Sequence, residues 1–311
     1  MATGGPQPRH RWRRPSRRAL ALAVAVAIAA VAVLVLLWDW NWFKGPIERI
    51  VEARTGRSFD IRGDLDVDLG RLTTVTAGQL RLGNASWSEH EDMATAERLA
   101  LQVELWPLLI GRVRLAELRL DAPDVRLEAH PEGGPGNWDF GFEGNGEPLH
   151  LRRLWIRDGR LRYDNPGRDT GIDIHVASRE PRREDAAPPV ELKGEGRWRG
   201  AGFSLEGRAE SPLELRDADH PYRLDLRARA GATRAHARGS LTAPFNLQAF
   251  QAQFALAGRN LAELYPLFGV AMPDTPPYAF DGRLERDGAT WHYRGFAGEV
   301  GQSDLAGSAS L

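Results

Sequence analysis

The sequence predicts a mainly β protein that carries an N-terminal transmembrane helix and a few short helices. Two observations support this fold class: an uncharged run over residues 19–38, and about 270 following residues in which apolar and polar positions alternate. A helix of 20 residues spans about 30 Å, the hydrocarbon thickness of a bilayer. Alternation with period two is typical of strands with one apolar and one solvated face. A sheet with one apolar face must be covered, either by a second sheet in a β-sandwich or by a ligand in a curved, twisted β-sheet groove, and the pattern alone favours the sandwich.

Six arginines precede the uncharged run without an acidic residue among them: Arg9, Arg11, Arg13, Arg14, Arg17 and Arg18. Positive charge before a first apolar span keeps the N-terminus in the cytoplasm, so these residues are the predicted topology determinants. Trp38 ends the run, and Trp40 and Trp42 follow it; tryptophans suit a membrane interface, which favours an anchor. The alternative is a cleaved signal peptide, which the Ala25-Val26-Ala27 triplet leaves open.

The chain divides into four predicted regions. Residues 1–18 form a basic cytoplasmic tail, 19–38 the transmembrane helix, 39–145 a first β domain and 146–311 a second β-rich region. A stretch rich in glycine and proline, residues 130–148, marks the boundary between the two β regions. The last strand runs to the final residue without a polar tail, so we expect a short or truncated member of a longer type of protein.

A short helix is predicted directly after the anchor, because Pro46 suits the first helical position and Gly56 the position past the end. We interpret it as a cap on the first sheet; the alternative is a helix lying at the membrane surface. A second helical segment of one or two turns is predicted at 261–268.

The apolar positions of the first β region share one predicted face, and these residues are the candidate lining of such a groove. They are Phe59, Ile61, Leu65, Val67, Leu99, Leu101, Val103, Leu105, Val113, Leu115, Leu118, Leu120, Val125 and Leu127. A change of phase between Leu115 and Leu118 predicts a β-bulge or a bend. Residues 106–111 break the alternation and contain Pro107, so we predict an apolar turn there.

The second β region repeats the pattern, with a charged, proline-rich break at 179–189. Strands are predicted at 149–151, 154–156, 161–163, 172–176, 190–198, 203–209, 213–215, 222–230, 234–241, 250–257, 278–284, 290–296 and 303–311.

Known catalytic and cofactor motifs are missing from the sequence. The eight histidines are scattered without a His-Glu-x-x-His pair, and there is no Gly-x-x-x-x-Gly-Lys or Gly-x-Ser-x-Gly. We therefore expect no enzymatic activity, no catalytic or metal-binding residues and no cofactor. The whole chain carries −1 and the six arginines account for +6, so the remainder carries −7. This acidic balance argues against a nucleic-acid partner.

Four segments in a specific order resemble the AsmA family of bacterial envelope proteins. They are the anchor running into Phe43-Lys44-Gly45-Pro46-Ile47-Glu48, residues 103–113 followed by 118–127, the loop Gly136-Asn137-Trp138-Asp139-Phe140, and residues 261–265 through 301–307.

The resemblance implies a single-pass protein of the inner membrane of a Gram-negative envelope, with its N-terminus in the cytoplasm and its bulk in the periplasm. It also implies a long curved sheet whose apolar groove binds or conducts phospholipids between inner and outer membranes, which favours the groove over the sandwich. The alternative function is a non-enzymatic assembly factor or scaffold for outer-membrane protein biogenesis. The implied partners are phospholipids, the inner membrane, and outer-membrane or periplasmic assembly proteins; no catalytic residues transfer.

Fusion of a reporter that is active only in the periplasm tests the predicted topology. A fusion after Thr55 should be active, whereas a fusion after Arg18, which lacks the apolar run, should be inactive. Replacing all six arginines with glutamine should reduce or invert the activity, because the positive charge sets the orientation. Activity at Thr55 only with a cytoplasmic reporter would contradict the prediction.

Overall fold

The computed structural model describes residues 39–70, 72–104, 114–140, 150–181, 187–216, 222–242, 249–269, 271–287 and 290–310. The chain forms two units, 1–42 and 43–311, and only the second is described at length. The predicted tail and transmembrane helix, residues 1–38, lie outside the described residues. Within the described ranges, no helix is both long and apolar enough to cross a bilayer.

The described chain is mainly β, as the sequence predicts, with seventeen strands in one sheet. The strands are β1 Phe59–Ile61, β2 Leu65–Asp68, β3 Leu72–Gly83, β4 Asp92–Glu104, β5 Arg114–Asp121, β6 Asp124–Glu128, β7 His150–Arg157, β8 Gly159–Asn165, β9 Thr170–Ser178, β10 Val190–Trp198, β11 Ala201–Ala209, β12 Tyr222–Ala230, β13 Thr233–Thr242, β14 Ala249–Gly258, β15 Tyr278–Asp287, β16 Thr290–Val300 and β17 Ser303–Ser310. The α-helices are α1 Lys44–Thr55 and α2 Tyr265–Phe268, and 3₁₀ turns occupy Trp40–Phe43, Pro166–Arg168, Pro212–Arg216 and Leu261–Leu264.

The pairing runs through the sheet in one continuous series. Strand β3 pairs with β1 and β2 on one side and with β4 on the other, and β4 pairs with both β5 and β6. From β8 to β17, each strand is antiparallel to the next. The described strands thus form one curved, unclosed sheet rather than the two sheets of a sandwich.

Parallel pairing joins the two halves of the sheet, because β5 pairs with β7 and β6 with β8. A bend at Ala122 (φ 46°) separates β5 from β6, and a bend at Asp158 (φ 56°) separates β7 from β8. The bends lie side by side, since the Ala122 N–H donates to the Arg157 carbonyl and the Arg160 N–H to the Pro123 carbonyl. The predicted division at residue 145 falls within 141–149, outside the described residues, and the strands on either side of it are hydrogen-bonded.

Helix α1 covers the free edge of the sheet, as the capping interpretation predicts. It ends at Gly56, which has the left-handed φ of 66°. The carboxylates of Glu48 and Glu52 accept hydrogen bonds from the main-chain N–H groups of Ile61 (2.9 Å) and Phe59 (3.3 Å). These two side chains therefore occupy donors that an open edge would offer to another strand.

The bulge predicted between Leu115 and Leu118 is confirmed. Gln102 pairs with Glu117 while the next residue, Val103, pairs with Leu115, so one extra residue is inserted in β5. The bulge returns the apolar side chains of β5 to one face.

One strand prediction is wrong. The strand predicted at 213–215 is a 3₁₀ turn, because Ser211 accepts hydrogen bonds from the N–H groups of Leu213 (3.4 Å) and Glu214 (2.9 Å). These local bonds use main-chain donors that a strand would need for its ladder.

Glycines within the strands allow neighbouring strands to approach closely. A Cβ at Gly239 would lie 2.5 Å from the Cα of Ala252 on β14, and a Cβ at Gly298 would lie 2.8 Å from the Cα of Phe280 on β15. A side chain at either position would have to displace main chain, so only glycine fits without a shift of the sheet.

The substitution Gly239→Ala should therefore destabilise the fold, by about 1–3 kcal/mol, the usual cost of forcing an extra methyl group into a packed site. Gly202→Ala on β11 is the matched control, since its Cβ would meet only a carbonyl oxygen 4.0 Å away. We expect the control to stay within about 0.5 kcal/mol of the parent. Equal thermal melting curves for the two variants would contradict the close approach.

Candidate functional site

One row of apolar residues crosses the whole sheet. Residues directly opposite each other on paired strands lie on the same face, and the row from β1 to β17 holds no charged or polar side chain. Its members are Phe59, Leu82, Ala94, Val125, Leu161, Ile174, Gly194, Leu205, Ala228, Ala235, Leu256, Phe280, Gly298 and Leu305. We call the side of the sheet on which this row lies the apolar face and the opposite side the charged face.

The predicted lining residues come together on the apolar face. One row joins Val67, Val75, Leu101, Leu118 and Leu154, and a second joins Leu65, Ala77, Leu99, Leu120 and Ile156. The remaining described candidates, Phe59, Ile61, Val103, Leu115, Val125 and Leu127, lie in neighbouring rows. Leu105 and Val113 lie outside the described residues. Their contact with lipid stays a prediction.

Strand β3 contributes residues that the sequence analysis missed. Val75 and Ala77 lie opposite Leu101 and Leu99, in the middle of the predicted face. The period-two pattern of β3 is interrupted at Gln79, which has a left-handed φ of 50°. The alternation on each side of that residue is short, and this is why the strand was not recognised.

The apolar face is covered at its two ends. Near β1, Ile47 of α1 packs against the buried residues Ile61 and Leu65. Near β15, the buried Leu264 packs against Tyr278 and Phe280. A third buried cluster comprises Val190, Ala209 and Tyr222. Outside these clusters, the predicted lining side chains of β4, β5 and β6 are half-buried.

The helical segment after β14 also reaches β10. The Trp198 Nε1–H donates to the carbonyl of Leu267 at 3.2 Å. Leu267 in turn packs with Leu264 on the apolar face of β14–β16. The segment therefore spans from β14 to β10 across one end of strands β11–β13.

The charged face carries ion pairs between neighbouring strands. Asp173 accepts hydrogen bonds from Arg160, which hold the pKa of its carboxyl below the usual value. His236 Nε2 lies 2.7 Å from Asp225 Oδ1, and Arg238 Nη2 lies 2.8 Å from Asp225 Oδ2. These contacts lower the pKa of Asp225. Two clefts, of about 1150 Å³ and 610 Å³, are lined mainly by residues of this face.

A buried polar network holds the loop after β6. Asn137 is fully buried; its Nδ2 donates to the Asn84 side chain (2.9 Å) and to the Arg126 carbonyl (2.8 Å), and its Oδ1 accepts from the Glu128 N–H (2.9 Å). These bonds use both N–H donors and the oxygen of the Asn137 amide, and they fix the loop on β6. This part of the resemblance therefore has a structural role.

Glu128 is the centre of this network. Burial opposes its ionisation, but hydrogen bonds from Ser88, Asn84 and His90 outweigh burial and hold its pKa below the usual value. The Ser88 hydroxyl donates to the carboxylate of Glu128 rather than to the imidazole of His90. A serine nucleophile needs the imidazole as its base, so this contact is not the geometry of nucleophilic catalysis.

A single β-sheet with one apolar face that extends from its first strand to its last defines the structural class of this protein. The AsmA family model matches residues 18–166, which confirms the resemblance to that family. AsmA family protein YhjG from Escherichia coli (strain K12) is 28% identical over 307 residues, covering 85% of this chain and 45% of the relative. This chain thus spans about half the length of that curated relative. No solved structure matches the chain.

Proposed function

We propose that this protein acts in the bacterial cell envelope, where its apolar face binds the acyl chains of phospholipids and conducts them between the inner and outer membranes. The observation that supports this proposal is the row from Phe59 on β1 to Leu305 on β17, in which no charged or polar side chain interrupts the apolar path. In this proposal the protein needs neither catalysis nor a cofactor.

An acyl chain matches such a surface because it has no polar group to satisfy. Burial of hydrocarbon contributes about 0.8 kcal/mol per CH₂, so binding requires apolar area rather than specific contacts. Strands lie about 4.8 Å apart, and a row that crosses them offers apolar contacts at that spacing. A charged side chain within the row would interrupt it, because burying a charge without a partner is costly.

The proposed location follows from the N-terminal sequence together with the family match. The matched residues, 18–166, include the uncharged run 19–38 and the first strands of the sheet. In the proposed topology, the arginines before the run stay in the cytoplasm, the run anchors the protein in the inner membrane, and the sheet lies in the periplasm.

A second candidate function is an assembly factor for outer-membrane proteins. Strand β17 favours this function, because all of its residues are exposed and its described pairing is with β16 alone. An open edge of this kind accepts an additional strand through main-chain hydrogen bonds. The opposite edge, at β1, is covered by α1.

Site-specific photo-crosslinking in cells separates the two faces. A crosslinker at Leu101 or Leu205 should capture phospholipid, because both positions lie on the apolar face. Gln102, next to Leu101, and Arg208, on the same strand as Leu205, are matched controls on the charged face and should capture none. Mass spectrometry of the irradiated protein detects the lipid adduct.

Equal lipid capture at all four positions, or none at the two leucines, would contradict the proposed lipid path. A crosslinker at Ser308 on β17 tests the second candidate, which requires capture of an outer-membrane protein precursor at that edge.

A further inference from the structure

The larger cleft on the charged face has a floor of small side chains. Its volume is about 1150 Å³, and it extends across β8–β16. On this face, Ser204, Ala255, Ala257, Ala279 and Ala297 replace the long charged residues that occupy the neighbouring positions. The small residues leave open space between rows of exposed arginines.

Two arginines lie side by side in this cleft. Arg229 on β12 is directly opposite Arg234 on β13, and both side chains are exposed. Like charges directly opposite each other on paired strands destabilise a sheet. Among the residues that the structure describes, no carboxylate lies within 4 Å of either guanidinium, whereas Arg160 and Arg238 on the same face are paired with Asp173 and Asp225.

The acidic residues of the cleft either face other polar groups or are separated from the arginine pair by another residue in the register. Asp173 binds Arg160, and Asp281 accepts a hydrogen bond from Gln253. Glu206 is opposite both Lys193 and Arg227. Glu195 also lines the cleft, and Ser204 lies between it and Arg229 in register.

The in-register neighbours of the arginine pair carry no charge. Ser204 is opposite Arg229 on one side, and Ala257 is opposite Arg234 on the other. The row Ser204–Arg229–Arg234–Ala257 therefore concentrates two positive charges and one hydroxyl donor beside open space.

We propose that Arg229, Arg234 and Ser204 bind a phosphate group. The planar guanidinium presents paired N–H donors that match two phosphate oxygens, and a hydroxyl supplies a further donor. A bound anion would also relieve the repulsion between the two arginines. The site lies on the opposite side of the sheet from the apolar face, so it does not depend on the proposed acyl-chain binding. The phosphate belongs either to a glycerophospholipid headgroup or to free inorganic phosphate.

Isothermal titration calorimetry of the full chain in detergent micelles tests the proposal, with inorganic phosphate and glycerol 3-phosphate as the two probes. The double variant Arg229→Gln/Arg234→Gln should bind the tighter-binding probe at least about tenfold more weakly. Both sets of paired, charge-assisted hydrogen bonds from guanidinium to phosphate are lost in this variant. The double variant Arg98→Gln/Arg152→Gln removes two exposed arginines outside the cleft and should stay within about twofold of the parent.

A conservative pair, Arg229→Lys/Arg234→Lys, keeps the charge but loses the planar fork and should show intermediate affinity. Circular dichroism confirms that the variants are folded. Tighter binding of glycerol 3-phosphate supports the site with a lipid headgroup as its ligand, and equal binding of the two probes supports it with a free phosphate. Absence of binding by the parent, or equal affinity of the parent and the glutamine pair, would overturn the proposal.

Discussion

The strand register determines the rest of this structure. A sheet places alternate residues on opposite faces, so a shift of one residue in any pairing would exchange the two faces beyond that point. Here the register carries the apolar residues of each strand onto the same face from β1 to β17. The bulge in β5 and the adjacent bends at Ala122 and Asp158 adjust the phase where the alternation of the sequence is interrupted.

One face of a single sheet cannot be covered by the sheet's own strands unless the sheet folds onto itself or another element packs on it. The structure supplies such cover at the two ends, through Ile47 of α1 and through the segment that carries Leu264. Contiguous apolar surface beyond a few hundred Å² marks an interaction site in soluble proteins. The half-buried rows between the covered ends are therefore the part of the molecule where an apolar ligand would bury the most exposed apolar surface.

The charged face carries ion pairs in place of the apolar rows. Its ion pairs, such as Arg238 with Asp225, are exposed and contribute little to stability, so their main effect is to keep this face solvated. The opposed pair of Arg229 and Arg234 differs from these ion pairs, because neither guanidinium has a carboxylate partner among the described residues and its in-register neighbours are serine and alanine. Solvation alone does not require two like charges to be placed opposite each other over a cleft.

Local patterning predicted most strands but not how they assemble. The strand at 190–198 matches its predicted bounds, because a short uninterrupted alternation needs no knowledge of its partners. The 3₁₀ turn at Pro212–Arg216 was missed because hydrogen bonds to Ser211 override a two-residue pattern. The sequence could not predict the parallel pairing of β5 with β7 or the burial of Asn137, because both depend on contacts between distant segments. The phosphate cleft combines residues from separate strands and has no linear motif.

Native mass spectrometry of the full chain, released from detergent micelles, tests most directly whether the apolar face holds lipid. The account predicts that the protein carries co-purified phospholipid and that Leu205→Asp reduces the number of bound lipids. Glu206→Asp, on the charged face, should leave that number unchanged. Because both variants retain residues 19–38, any lipid bound by that uncharged run is the same in each. An identical lipid count for folded Leu205→Asp and Glu206→Asp would contradict the account.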